Sequence, residues 1–250
     1  KARKHSENVQ EQLNQAIDVS INNKVVNGDF SNGMNNWNKG VYTGEISVAD
    51  NIMTISNGTN WYFGIYQNTE QLKAGNKYYV AFDVYSENFE LVERARAQYA
   101  DSLYQNVFFK SWEIGGLENG RFHRVSGVGT TATDSNVFKI GFQATTADAQ
   151  VAVKCSNVLL IDLTEAFGAG SEPTQEEMDI LINLVPEKWW DGTLRANNKL
   201  VLNWQRERLK LLEDVVNAPT RIDSVFEISP RLAEIMEHDF VVTIGYDDAS

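Results

Sequence analysis

Leu159-Leu160-Ile161-Asp162-Leu163-Thr164-Glu165-Ala166-Phe167-Gly168-Ala169-Gly170-Ser171-Glu172-Pro173-Thr174 joins two kinds of structure, and the rest of the chain is placed relative to it. Leu159 to Leu163 is an apolar run of strand length, Gly168 and Gly170 permit tight turning, and Pro173 leads into a helix start. Thr174 and Glu177 have the spacing of a capping box, in which hydroxyl and carboxylate satisfy backbone N–H groups left free at a helix start. Met178, Leu181, Ile182 and Val185 then share one helical face, Pro186 stops the run, and a Trp189-Trp190-Asp191-Gly192 turn follows.

Upstream, short alternating segments punctuated by Gly, Asn and Asp predict strands at Glu45–Ala49, Ile52–Ser56, Tyr62–Gln67, Lys77–Ser86, Val92–Ala100, Leu103–Phe109, Arg121–Gly127, Val137–Gln143 and Val151–Leu163. That pattern is a β-sandwich over residues 24–164. Before it, residues 1–23 read as a helix with the narrow stripe Val9, Leu13, Ala16, Ile17 and Ile21, which needs a partner. After it come a Gly/Pro loop with a short helix and Trp-Trp-Asp-Gly turn (165–198), an amphipathic helix (199–217) carrying Val201, Leu202, Trp204, Leu209 and Leu212, and a small acidic α+β segment (218–250). Trp189, Trp190 and Trp204 are expected to pack this C-terminal part on the sandwich. The two stripes predict self-association, with a trimer favoured by analogy with tail fibres.

The stretch Asp162-Leu163-Thr164 through Phe167-Gly168-Ala169-Gly170-Ser171-Glu172-Pro173-Thr174, with its helix and aromatic-Asp-Gly turn, resembles a segment of minor structural and tail proteins of phages and prophages of Gram-positive hosts; Ser171 stands where that segment has Asn. Val25-Val26-Asn27-Gly28-Asp29-Phe30 with Trp37, and Leu72-Lys73-Ala74-Gly75-Asn76-Lys77-Tyr78-Tyr79, resemble the galactose-binding-like jelly-roll carbohydrate-binding modules. Together these resemblances imply a mainly β jelly-roll sandwich flanked by helices, located in a virion tail and assembled in the host cytoplasm. Its partners would be a host cell-wall or surface polysaccharide and other tail or baseplate proteins. They also imply a structural Ca²⁺ near the first and last strands at Asp29 and Asp162, with no other cofactor required. A structural adaptor that binds no sugar, and the binding module of a secreted polysaccharide-degrading enzyme, remain open.

A net charge of −12 with no basic run after residue 4 disfavours nucleic acid as a partner. No run approaches the roughly 20 apolar residues of a membrane span, and Lys-Ala-Arg-Lys-His-Ser at the start lacks the apolar region of a signal peptide, so a soluble chain without membrane insertion is expected. Residue 1 is Lys rather than Met, which leaves open a further N-terminal portion. The single Cys155 lies in an alternating apolar segment and reads as a buried thiol. No phosphate-binding loop, dinucleotide fingerprint, nucleophile elbow or zinc-protease motif occurs, and among 34 acidic residues none is singled out as a glycosidase pair, so no catalysis is expected.

Alternation sorts the faces. Tyr79, Asp83 and Tyr85 oppose Val80, Phe82 and Val84; Arg94, Arg96 and Gln98 oppose Ala95, Ala97 and Tyr99; Lys139 and Gln143 oppose Phe138, Ile140 and Phe142. The glucan- and xylan-binding modules that the sequence resembles use tyrosines, an arginine and glutamines on one sheet face. The resemblance therefore implies a glycan site at Tyr85, Arg96, Gln98 and Gln143, bordered by Trp61 and Trp112. An ordinary solvated outer face would show the same alternation.

Overall fold

A computed structural model describes residues 19–58, 60–100 and 106–196 together with positions 204, 207 and 210. The strands, in chain order, are β1 (Val19–Asn22), β2 (Asn38–Lys39), β3 (Thr43–Ala49), β4 (Ile52–Asn57), β5 (Tyr62–Leu72), β6 (Lys77–Tyr85), β7 (Val92–Ala100), β8 (Asn106–Glu113), β9 (His123–Thr130), β10 (Ser135–Ala144), β11 (Ala152–Asp162) and β12 (Thr193–Ala196). Two helices, α1 (Leu163–Phe167) and α2 (Gln175–Asn183), lie between β11 and β12. Two five-stranded antiparallel sheets, ordered β2-β5-β10-β7-β8 and β3-β4-β11-β6-β9, face each other as a jelly-roll sandwich. The strands expected from alternation are present with ends shifted by a few residues; of the expected Leu103–Phe109 strand, positions 103–105 lie outside the described residues.

Between the sheets, the inward residues of both layers form one core. Phe63, Phe82, Phe138 and Phe142 are fully buried, with Phe82 edge-on to Phe142 at 6.3 Å between ring centroids. Cys155 is buried here as expected, and burial pushes its thiol far above the ordinary value, which keeps it in the unreactive protonated form. Tyr78 and Tyr99 bring hydroxyls into this core, and each accepts a backbone N–H: Lys73 donates to Tyr78 at 2.8 Å and Ala132 to Tyr99 at 2.6 Å.

A second apolar cluster lies on the outer surface of the β3-β4-β11-β6-β9 sheet. Tyr79, Ala81, Leu159 and Ile161 project there from β6 and β11, and Leu163, Met178, Leu181, Ile182 and Trp190 cover them. The capping box holds α2 in place: Thr174 Oγ1 accepts from Glu177 N–H, and Glu177 Oε2 accepts from Thr174 N–H at 2.8 Å. Trp204 is helical and buried, its Nε1 donating to Glu177 O at 2.7 Å and its ring 5.7 Å from Phe167. Trp189 Nε1 donates to Val158 O at 3.0 Å. All three tryptophans thus pack the C-terminal part on this sheet, as the sequence indicates.

Residues 19–22 correct the reading of 1–23 as one helix. They form β1, paired antiparallel in a two-stranded sheet with β12, which falls in the 165–198 segment where the sequence predicts no strand. Ile21 serves either periodicity; what decides is a remote partner, since β12 supplies the backbone hydrogen bonds and Trp190 Nε1 donates to Ile21 O at 3.2 Å. The remainder of the N-terminal helix, most of the 199–217 helix and the 218–250 segment lie outside the described residues. The last strand also ends earlier than expected, at Asp162, whose side chain caps α1.

Burial raises the phenol pKa of Tyr62, Tyr78 and Tyr79, that of Tyr62 to about 12; for Tyr79 the Asp179 carboxylate adds to the effect. The folded chain therefore holds these protons more tightly than the unfolded chain, whose tyrosines titrate near pH 10. Their contribution to stability is complete below about pH 10 and falls as pH rises, by up to about 1.4 kcal/mol per pH unit for each tyrosine. Thermal unfolding followed by circular dichroism should show Tm falling steeply between about pH 10 and 12. A flat Tm across that window would contradict the burial of these hydroxyls.

Candidate functional site

Because α1, α2 and the tryptophans cover much of one sheet, the outer surface of the β2-β5-β10-β7-β8 sheet is the broader open face. Register arranges its side chains in rows across the strands. One row runs Tyr62, Gln143, Arg94, Glu113; the next runs Gly64, Gly141, Arg96, Ser111; a third contains Tyr66, Lys139 and Gln98. The middle row has no side chain on β5 or β10, so a trough crosses those two strands.

Tyr62 falls into this trough. A Cβ at Gly141 would meet Tyr62 Oη at 2.4 Å, so the phenol lies directly over that glycine. Its hydroxyl donates to Gln98 Oε1 on β7. Gln98 is 2% exposed. On the other side of the trough Arg96 Nη2 donates to Gln143 Oε1, and Gln143 Nε2 donates to Glu93 Oε2. Glu93 also pairs with Arg94 Nε at 3.2 Å, and Arg94 Nη2 lies 3.5 Å from Glu113. The polar groups are thus held by one another in fixed orientations and need little reordering to meet a ligand. Burial, then the neighbouring Arg94 charge, lowers the Arg96 pKa, but a guanidinium remains charged at neutral pH.

At the Gly64 end the trough opens into a depression of about 160 Å³ lined by Gly40, Val41, Tyr42, Tyr62, Tyr66 and Lys139 over the backbone of residues 63–65 and 140. The 40–42 loop is fastened beside Gly64: Gly40 N–H donates to Gly64 O at 2.9 Å, and Thr43 Oγ1 donates to the same oxygen at 2.6 Å. Trp61 is 44% exposed at the start of β5, its ring 6.3 Å from that of Tyr62.

Of the residues singled out in the sequence, Arg96, Gln98 and Gln143 share this face and Trp61 stands at its border. Tyr85 does not join them. It lies on β6 in the opposite sheet, with Lys154 Nζ 4.6 Å from its ring, Phe122 5.2 Å away and its hydroxyl donating to Glu87. Alternation groups residues within a strand but does not say which sheet the strand joins. Trp112 also departs from expectation: its ring packs edge-on against core Phe82 at 5.5 Å, and its Nε1 donates to Ser126 O at 2.8 Å, bridging to β9. Pairing of Trp112 with inward-facing Ala95 sets this direction. Tyr62 follows Trp61 onto the face, and Tyr66, which the sequence reading does not include, joins it; its i, i+4 spacing from Tyr62 on an alternating strand was the available signal.

Asp29 and Asp162, where the resemblance implies calcium, are each engaged in local hydrogen bonds. Asp29 Oδ1 accepts from Ser31 N–H at 3.2 Å and Ser31 Oγ at 3.0 Å. Asp162 caps α1 through Oδ1, accepting from Glu165 N–H at 2.9 Å, while Oδ2 accepts from Asn76 Nδ2 at 2.8 Å. Among the described residues no group of three or more His, Cys, Asp or Glu is placed to hold a metal. Close to Asp162, Lys24 Nζ lies 3.2 Å from Glu70 and 3.0 Å from Glu165.

No protein-family model matches the sequence, and no curated protein matches it. Solved structures similar to this chain include an arabinose-bound family GH51 α-L-arabinofuranosidase, with TM-score 0.50 and 9% identity over 68% of this chain and 30% of that one. A CBM4 carbohydrate-binding module is similar with TM-score 0.42 and 14% identity, covering 52% of this chain and 97% of the module. A family 16 carbohydrate-binding module is similar with TM-score 0.40 and 16% identity, covering 56% of this chain and 100% of the module. At such identities the likeness concerns the fold.

Proposed function

We propose that the chain is a non-catalytic saccharide-binding protein and that the outer face of the β2-β5-β10-β7-β8 sheet is its binding surface. The observation that carries this reading is the juxtaposition of Arg96, Gln143 and Gln98, already fixed by hydrogen bonds, with the rings of Tyr62 and Tyr66 on one open sheet. Sugars present apolar faces to aromatic rings and hydroxyls to planar polar groups, and this surface offers both on a rigid platform. The resemblance of residues 159–192 to phage tail segments supports placing the protein in a tail or baseplate, where the sugar would belong to a host cell surface. In that setting the expected N-terminal helix would bring copies together, as a trimer by analogy with tail fibres. Each neutral hydrogen bond contributes only about 0.5–1.5 kcal/mol net, so single-site affinity is low and several copies on one surface raise avidity by roughly 10² to 10⁴.

Binding to a glycan array and to purified cell-wall polysaccharide of Gram-positive hosts tests this reading. Retention on at least one polysaccharide, with no release of reducing sugar, is the expected result; absence of binding to all of them would favour a structural adaptor. Sedimentation of the chain at micromolar concentration should give an assembly larger than a monomer, and a compact monomer would remove the avidity argument.

A further inference from the structure

We propose that the Gly64 end of the trough is a pocket for a single terminal sugar unit, and that Gly141 and Gln98 position Tyr62 as its wall; the proposal rests on the saccharide reading of this face. Along β5 the depression lies between Tyr62 and Tyr66, consecutive outward side chains on either side of Gly64. Across the strands it lies between Lys139 on β10 and the Gly40–Tyr42 loop, which Gly64 O anchors through Gly40 N–H and Thr43 Oγ1. Lys139 Nζ sits 5.9 Å from the Tyr66 ring, so the ammonium and that wall form one unit. The floor is backbone, because any side chain at residue 64 would enter Ile140 O at 2.2 Å.

A site bounded in both directions suits one ring better than the middle of a polymer, which would have to climb over the Lys139 stem or the anchored loop. The lining selects the ligand chemistry. The Tyr62 and Tyr66 rings and Val41 suit the apolar face of a neutral pyranose or furanose, while Lys139 and the Tyr66 hydroxyl are polar groups of the lining suited to ring hydroxyls. Tyr62 serves as a wall only while it lies down over Gly141 with its hydroxyl on Gln98. A methyl group at residue 141 would lift the ring by colliding with Oη at 2.4 Å, and a change at Gln98 would release its tip without touching the backbone.

The test measures binding of methyl glycosides of glucose, galactose, arabinose and N-acetylglucosamine, and of cello-, xylo- and laminarihexaose, to the full chain and to Tyr66→Ala, Gly141→Ala, Gln98→Met and Arg96→Ala. The expected result is that one methyl glycoside binds and displaces the oligosaccharide or polysaccharide bearing that terminus. Tyr66→Ala and Gly141→Ala should weaken it at least tenfold. In parallel, nitration of Tyr62 by tetranitromethane at pH 8, read by peptide mass, should be slow in the parent protein and at least tenfold faster in Gly141→Ala and Gln98→Met. Should Gly141→Ala fail to fold, Gln98→Met answers the positioning question alone. Affinity that grows with chain length and is untouched by methyl glycosides and by Tyr66→Ala would refute the pocket while sparing the saccharide reading, which Arg96→Ala tests separately. Unchanged nitration would refute the positioning roles, and a parent protein that binds no saccharide would refute pocket and saccharide reading together.

Discussion

Replacing Asn23 by Ala should lower stability by about 3 kcal/mol or more, which for a chain of this size is a Tm loss of roughly 6–12 °C. Asn23 is 4% exposed and its side chain makes four hydrogen bonds. Nδ2 donates to Val158 O at 3.2 Å and Trp190 O at 3.0 Å, and Oδ1 accepts from Val25 N–H at 3.1 Å and Leu160 N–H at 3.0 Å. One amide therefore ties the segment after β1 to β11 and to the Trp189-Trp190 turn. Alanine would remove the partner of two backbone N–H groups and of the Trp190 carbonyl in a dry place, each costing about 1–3 kcal/mol unless water enters, while Val158 O keeps Trp189 Nε1. Asn38, on the exposed edge strand β2, is the control: Asn38→Ala should stay within about 0.5 kcal/mol of the parent. Chemical denaturation of both variants decides the matter, and equal midpoints would mean that water replaces the Asn23 amide without loss.

That contrast shows where sequence reading stops. Nothing in the composition around Asn23 or Asn38 distinguishes the two; their difference arises from partners more than 130 residues away in the first case. What is legible is local. The period-two alternation of β6, β7 and β10 correctly separates inward from outward side chains, and Thr174 with Glu177 correctly marks the start of α2, because each signal lies within one element. What is illegible is which elements become neighbours. Tyr85 was grouped with Arg96 because both face outward, yet β6 and β7 belong to opposite sheets. The Gly64–Gly141 trough appears in no segment of sequence, since it exists only when β5 and β10 pair in this register. Ile21 fits both a helical stripe and a strand, and pairing with Leu194 of β12, remote in the sequence, makes the choice.

The same geometry makes the joint loss of Arg96 and Gln143 the change with the largest expected effect on binding. A charged guanidinium hydrogen bond contributes about 1.5–3 kcal/mol, or roughly 10- to 150-fold in affinity, and the neutral amide about 0.5–1.5 kcal/mol, or roughly 2- to 10-fold. For a weak site, Arg96→Ala with Gln143→Ala should therefore abolish detectable binding to whichever polysaccharide the parent protein retains. Stability should change little, by about 1 kcal/mol, because both side chains are only half-buried on an outer face and the groups they leave, Glu93 among them, can turn to water. Two further variants separate this from general damage. Tyr85→Ala, on the other sheet, should bind as the parent does; Trp112→Ala should lose about 2–4 kcal/mol of stability, since its ring packs on Phe82 inside the sandwich. If binding instead survives the double replacement and disappears in Tyr85→Ala, the saccharide surface belongs to the β3-β4-β11-β6-β9 sheet, where Tyr85, Phe122 and Lys154 form the exposed aromatic group.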